Sequence, residues 1–168
     1  MKRLILVRHA KSSWSNDALA DFERPLSARG ERDAPRMGAR LRNRGLRPDL
    51  ILASPATRAQ RTAQLVAHAL ECPADAIRLE PALYLATPAE ILTVIGTQAA
   101  AVDQLLVVGH NPGMTELVNL LLPTLGLANL PTAGVVVIDC ATPRWSDVNA
   151  ARRDLAYYDY PKNPAGEA

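Results

Sequence analysis

Leu4-Ile5-Leu6-Val7-Arg8-His9 decides how this chain is read. Four successive apolar residues, two of them β-branched, read as a short buried strand. Open α/β sheets bind ligands beyond the carboxyl ends of their strands. An Arg-His pair emerging there is costly to bury unless something pairs with it, and an anion supplies such a partner. The planar fork of arginine matches phosphate oxygens, and a neutral imidazole is a competent nucleophile. Taken alone, the pair reads equally as surface residues at a strand end. The rest of the chain separates the two readings.

Outward from this strand (residues 2–7), residues 10–25 are polar and irregular, as expected of a loop that carries a site. Ser27 has the chemistry of a helix N-cap. Residues 30–44 then place Ala34, Met37, Gly38 and Leu41 on one helical face, and Gly45 follows as a stop. A second strand is predicted over 49–53. Ser54-Pro55 opens a helix with proline in its first turn, lined inside by Ala59, Thr62, Ala63, Val66, Ala69 and Leu70. Residues 77–79 form a short strand. Thr87-Pro88-Ala89-Glu90 is a capping box that starts a helix to about Gly96. A buried strand over 105–108 is broken by Gly109-His110-Asn111-Pro112-Gly113, and a helix over 114–122 follows. Another strand covers 135–138, an edge strand is expected around Trp145, and the chain from about 155 reads as an exposed terminal segment. Strands alternating with helices imply a three-layer α/β/α sandwich, with a mostly parallel central sheet and helices on both faces, in one domain spanning 1–168.

Composition bounds the function. The 168 residues are 48% hydrophobic and 21% charged, within the range of a soluble globular domain, and the 4% aromatic content makes the core mainly aliphatic. The net charge of +2 comes with arginines interspersed among acids. The densest basic run, residues 29–47, reads as the polar face of a helix, with no aromatic-interleaved stripe for nucleic acid. Cys72 and Cys140 fit neither a disulfide framework nor a zinc spacing, and belong in a reducing compartment. Near the start only Leu4–Val7 is apolar, too short for a signal peptide, and no run reaches the ~18 residues of a membrane span. A cytoplasmic protein is expected. Three histidines without an acidic ligand cluster argue against a metal, and no cofactor is implied.

Three strand ends then converge. Arg8-His9 ends the first strand, Arg58 lies in the first turn of the helix after the second, and His110 ends the strand begun at Leu105. In a parallel sheet these ends share one edge, so two guanidinium groups, two imidazoles and a helix N-terminus can meet. No Asp or Glu occurs in these three segments, so the pocket is expected to be strongly electropositive and suited to a phosphoryl group.

Arg8-His9-Ala10-Lys11-Ser12-Ser13-Trp14, Leu26-Ser27-Ala28-Arg29-Gly30, Ser54-Pro55-Ala56-Thr57-Arg58-Ala59-Gln60-Arg61-Thr62-Ala63 and Val108-Gly109-His110-Asn111-Pro112 together resemble the histidine phosphatase superfamily. The fold this implies is phosphoglycerate mutase-like. The Ala-Lys-Ser form of the first motif resembles the SixA-type phosphohistidine phosphatase branch, whereas other branches more often show Arg-His-Gly. The resemblance spans residues 2 to about 140. It implies that His9 is the nucleophile that becomes N-phosphorylated, and that Arg8, Arg58 and His110 bind the nonbridging oxygens and stabilise their charge in the transition state. Ser15 stands where mutase-like members carry Asn and is expected to contact phosphate, as is Lys11. His9 must be neutral to attack, and two nearby arginines are expected to lower its pKa.

One departure points to the substrate. Many relatives place a Glu or Asp after the third strand as general acid. Here the Leu-x-Glu pattern is absent: Tyr84 and Leu85 follow Leu83, and Glu80 lies three residues too early. Loss of the acid is tolerable where the leaving group is imidazole, since an alkoxide needs a proton and a phosphoramidate nitrogen leaves readily. No long insertion builds a cap, so an open pocket is expected to admit a phosphohistidine-bearing protein, of phosphorelay or phosphotransferase type by analogy, and the enzyme itself is expected to be a monomer. The alternatives are a small-molecule phosphomonoesterase of the same superfamily and a phosphate-binding module without chemistry. Trp14 is expected to anchor its loop, Ser54 and Asn111 to position neighbouring loops, and Arg61 to pair with surface acids.

Overall fold

The computed structural model describes the backbone of residues 1–167 and the side chains of residues 1–165. Six strands form one sheet: β1 (Lys2–Arg8), β2 (Leu50–Ala53), β3 (Ile77–Leu79), β4 (Gln104–Gly109), β5 (Val135–Cys140) and β6 (Arg153–Asp159). Their order is β3-β2-β4-β1-β5-β6. The first four are mutually parallel, while β5 runs antiparallel to β1 and β6 to β5. Four helices complete the layers: α1 (Ala28–Asn43), α2 (Thr57–Ala69), α3 (Pro88–Gly96) and α4 (Gly113–Leu121).

The alternation of side chains along each strand builds two cores. Ile5 and Val7 of β1 point to the layer of α1 and α2, where they meet Ala34, Met37, Ala63 and Val66. Leu4 and Leu6 point to the layer of α3 and α4, among Ile91, Ile95, Leu117 and Val118. Strands covered on both faces lose the polar-apolar alternation of a half-exposed sheet, which is why Leu4–Val7 reads as an unbroken apolar run. All four residues are fully buried.

Topology then sets the site. The chain leaves β1 for the layer of α1 and leaves neighbouring β4 for the layer of α4. The connections part to opposite faces beyond the carboxyl ends of two adjacent strands, where a crevice opens. Two glycines bring loops against it. A side chain at Gly30 would collide with the Lys11 carbonyl, and one at Gly113 with the Ala86 carbonyl. Ser27 caps α1 by accepting from the Gly30 N–H and donates to that same Lys11 carbonyl. Thr87 and Glu90 form the expected capping box at α3.

Three local expectations need correction. The helix after β2 begins at Thr57, with Ala56 as N-cap and no side-chain cap, rather than at Ser54-Pro55. The Ser54 N–H donates to the Val108 carbonyl and the Ala56 N–H to Ser54 Oγ, so Ser54 prolongs the strand pairing instead of starting a helix. Trp145 lies in a 3-10 turn (Trp145–Asp147), buried, with its indole N–H on the Val102 carbonyl at 2.8 Å. The edge strand lies instead at Arg153–Asp159, within the stretch expected to be exposed from about 155. Its outer positions are exposed, but Asp159 is fully buried and paired with Arg40 of α1 at 3.2 Å. A charge that reads as terminal and solvated finds its partner across the fold.

Candidate active site

Each strand end delivers one part of the site. Arg8 pairs with Gly109 across β1 and β4, and the His9 N–H continues the ladder to the Gly109 carbonyl at 3.0 Å. This register sets His9 beside His110, with ring centroids 5.2 Å apart. Arg58 arrives from the first turn of α2. Thr62, one turn later and fully buried, accepts from the Ala10 N–H and donates to the Arg58 carbonyl, tying that helix to the loop after β1.

The polar geometry assigns tautomers. His9 Nδ1 lies 2.8 Å from the Ala10 carbonyl. A carbonyl only accepts, so Nδ1 carries the proton and Nε2 its lone pair. Arg58 Nε donates towards that lone pair at 3.4 Å. Arg58 Nη2 lies 3.3 Å from His110 Nδ1, which must therefore accept, leaving the proton on Nε2 to donate to Ser54 Oγ at 2.7 Å. Both rings are neutral and both present a lone pair to one edge of the guanidinium. Burial is the main reason: it pushes His9 down to about 3 and His110 to about 4, with the neighbouring cations adding to it. The lowering expected from the two arginines is present, with desolvation the larger cause.

Arg8 donates through Nη1 to the Leu130 carbonyl at 2.9 Å. Its Nε is buried without a hydrogen-bond partner among the described residues, a donor suited to an anion. Asn111 steadies this corner. Its Nδ2 donates to Asn129 and to the Leu130 carbonyl, and its Oδ1 accepts from the N–H and hydroxyl of Thr115 in α4.

The other predicted residues fall as follows. Arg8, His9, Lys11, Arg58 and His110 line one cavity of about 330 Å³. Lys11 is exposed at its mouth. Ser15 is absent from that lining: it is exposed and its Oγ bonds Ser13 Oγ at 2.8 Å. Glu80 accepts from the Ala82 N–H within its own turn and does not line the cavity. Arg61 pairs with Glu31 at 3.0 Å, as expected. Among the described residues no three His, Cys, Asp or Glu side chains gather to hold a metal.

The pocket is not purely cationic. Asp21, from a 3-10 turn (Asp21–Glu23), accepts from Arg58 Nη2 at 3.0 Å and from the Tyr84 hydroxyl at 2.6 Å through Oδ2, and from Arg24 Nη2 at 3.0 Å through Oδ1. Its main-chain carbonyl takes Arg58 Nη1 at 2.7 Å. The Tyr84 bond first, then the two arginines, hold its carboxyl well below the usual carboxylate range. Sequence reasoning missed Asp21, Arg24 and Tyr84 as site residues. Asp21 and Arg24 do lie in the loop marked as site-bearing, and Tyr84 fills the centre of the altered Leu-x-Glu pattern.

Residues 4–83 match the family profile described as histidine phosphatase superfamily (branch 1). An uncharacterized protein of Mycobacterium tuberculosis is 34% identical over 166 residues, covering 93% of this chain and 100% of that protein. Among solved structures, one from Agrobacterium tumefaciens, provisionally assigned as phosphohistidine phosphatase SixA, superposes with a TM-score of 0.81 at 28% identity, covering 95% of this chain and 98% of that one. A second with the same provisional assignment, from Nakamurella multipartitia, has a TM-score of 0.84 at 25% identity over 96% and 97% of the two chains. A mycobacterial glucosyl-3-phosphoglycerate phosphatase shares the fold at 15% identity and a TM-score of 0.67.

Proposed function

The chain belongs to the histidine phosphatase superfamily, and on that premise we propose that it is a phosphohistidine phosphatase, cleaving the N–P bond of phosphohistidine carried on a protein. In this reading His9 Nε2 attacks phosphorus in line. The bond from phosphorus to the substrate imidazole breaks as the bond to His9 forms, and water then releases phosphate from phospho-His9. Arg8, Arg58 and His110 hold the nonbridging oxygens and stabilise their charge. The enzyme works as a single-domain cytoplasmic monomer on a phosphorelay or phosphotransferase protein. No helix among the described residues is long and apolar enough to cross a membrane.

One observation carries the choice of bond. Among the described residues lining the cavity, Asp21 is the one carboxylate, and it is ionised and engaged by Arg58, Arg24 and Tyr84. A carboxylate held in that state is a poor proton donor at neutral pH. A site without a free acid suits a leaving group that departs neutral without one, as an imidazole protonated on its other ring nitrogen does and an alkoxide does not.

The test is phosphate release from a histidine-phosphorylated protein and from an alkyl phosphate ester, comparing wild type with His9→Ala. Fast, His9-dependent release from phosphohistidine with poor alkyl phosphate turnover supports the reading. Efficient turnover of the ester moves it to a general phosphomonoesterase. Phosphate binding without release from either donor makes the protein a binding module.

A further inference from the structure

Seven large hydrophobic side chains are exposed among the described residues, and three of them gather at the mouth of the catalytic pocket: Trp14, Phe22 and Leu85, exposed by 69%, 40% and 54%. Trp14 and Leu85 line the cavity that holds His9 and Arg58. Phe22 packs edge-on against Tyr84 at 5.1 Å, and Tyr84 packs edge-on against His110 at 5.4 Å, so an aromatic series runs from the surface to the site.

These side chains are held in place although they face water. The Arg24 guanidinium lies 3.6 Å from the centre of the Trp14 ring. Arg24 is itself buried and pinned by Ser12 Oγ at 2.7 Å and Asp21 at 3.0 Å. Trp14 thus has one face backed by a fixed cation and the other open. Leu85 sits at φ +49°, a left-handed conformation that is strained for leucine, and it still presents an apolar side chain to solvent. Immobilised, exposed aromatic and aliphatic groups around a polar centre are the anatomy of a binding surface.

We propose that Trp14, Phe22 and Leu85 form a docking rim for a folded partner protein, one that bears phosphohistidine amid apolar surface residues. The proposal rests on the phosphatase reading and assigns its partner's chemistry. The occupant follows from charge and reach. The cationic floor at Arg8 and Arg58 complements a phosphoryl dianion, while Trp14, Phe22 and Leu85, beside the exposed cation Lys11, complement apolar neighbours of the modified residue. A free phosphorylated amino acid fills the floor and leaves the outer faces of Trp14 and Phe22 in water; the flank of a protein covers them.

The experiment compares wild type with Trp14→Ala, Phe22→Ala and the Trp14→Ala/Leu85→Ala double variant on two substrates, a protein phosphorylated on a surface histidine and free phosphohistidine. Circular dichroism verifies folding. For Phe22→Ala, whose side chain lies outside the cavity lining, KM for the phosphorylated protein is expected to rise about fivefold or more, with kcat/KM on free phosphohistidine held within about threefold. The double variant, whose residues line the cavity, is expected to raise KM more for the protein than for the free amino acid. Equal changes on both substrates, or none on either, overturn the rim. In the His9→Ala background, which binds without turnover, the phosphorylated protein is expected to shift tryptophan emission to the blue, a signal lost in Trp14→Phe; an unchanged spectrum overturns the proposal. A dimer in sedimentation that the rim variants dissociate makes the surface a contact between copies of this chain and likewise overturns it. Wild-type release from free phosphohistidine but not from the protein removes the rim and keeps the chemistry. Release from neither removes the phosphatase reading itself.

Discussion

Arg58 and Asp21 meet in a two-point grip, guanidinium Nη1 on the Asp21 carbonyl at 2.7 Å and Nη2 on its carboxylate at 3.0 Å. The grip takes the outer edge of the guanidinium. The adjacent edge, Nε and the other side of Nη2, faces the lone pairs of His9 and His110. Asp21 therefore orients Arg58 from its outer edge and offsets part of its charge, leaving the edge beside the two histidines to the phosphoryl group proposed to bind there.

Loss of the charged grip loosens that edge. Asp21→Asn keeps an acceptor without the charge and is expected to lower kcat about tenfold, equivalent to ~1.4 kcal/mol of transition-state stabilisation. Asp21→Ala, which also removes the side-chain acceptor, is expected to cost more. Steady-state kinetics with both variants checks the order, and an Asn variant as active as wild type would show that Asp21 is only structural.

Ser54 is the acceptor that fixes the His110 tautomer. Ser54→Ala leaves a buried imidazole N–H unpaired, a loss of about 1–3 kcal/mol of stability. It also frees the ring to exchange tautomers, so kcat is expected to fall along with the midpoint of urea denaturation. Retained kcat in a destabilised variant would remove the positioning role.

Because His110 Nδ1 holds a lone pair in the unliganded protein, it donates to a bound oxyanion either by gaining a proton or by taking the ring's own proton from Nε2 while the Ser54 hydroxyl turns to donate. Burial first, then Arg58, Arg8 and Arg24, oppose the added proton and Asp21 favours it, while neutral His9, Ser54 and the edge of Tyr84 complete its surroundings. A bound dianion reverses the balance. Tungstate, which does not titrate near neutral pH, is expected to bind with uptake of about one proton. Calorimetry in buffers of different ionisation enthalpy reads this directly, and binding heats that do not depend on the buffer would refute it.

The same two histidines make stability depend on pH. Their folded values, about 3 and about 4, lie below the ordinary 6.5. Between those values the unfolded chain binds more protons, so stability rises with pH there. The contribution is complete above about pH 6.5 and is lost as pH falls through the folded values. Thermal midpoints are expected to drop from pH 6.5 to pH 4, and less steeply in a His9→Asn/His110→Asn double variant.

The layered fold and the quartet of Arg8, His9, Arg58 and His110 are legible because both depend on local signals. Unbroken apolar runs mark strands buried on two faces, capping chemistry starts α1 and α3, and parallel strands bring their ends to one edge. The late strand β6 is harder to read. Its burial at Asp159 relies on Arg40, a partner 119 residues earlier, and no periodicity in Arg153–Asp159 announces that contact. Ser54 misleads in the other direction, since a Ser-Pro pair that fits a helix start instead extends the β2 ladder to Val108.

By itself the sequence determined the sheet's parallel core, the meeting of Arg8, His9, Arg58 and His110 at one sheet edge and the absence of a Leu-x-Glu pattern, since residue identity and spacing carry those directly. Only the tertiary structure decided that Asp21 enters an otherwise cationic pocket, that Ser15 stays outside it, and which ring nitrogens hold protons. Those outcomes depend on how an irregular loop folds back over the sheet edge and on distances of a few ångströms between groups remote in sequence. Burial, the main cause of the histidine shifts, is likewise a property of the packed chain that no single motif contains.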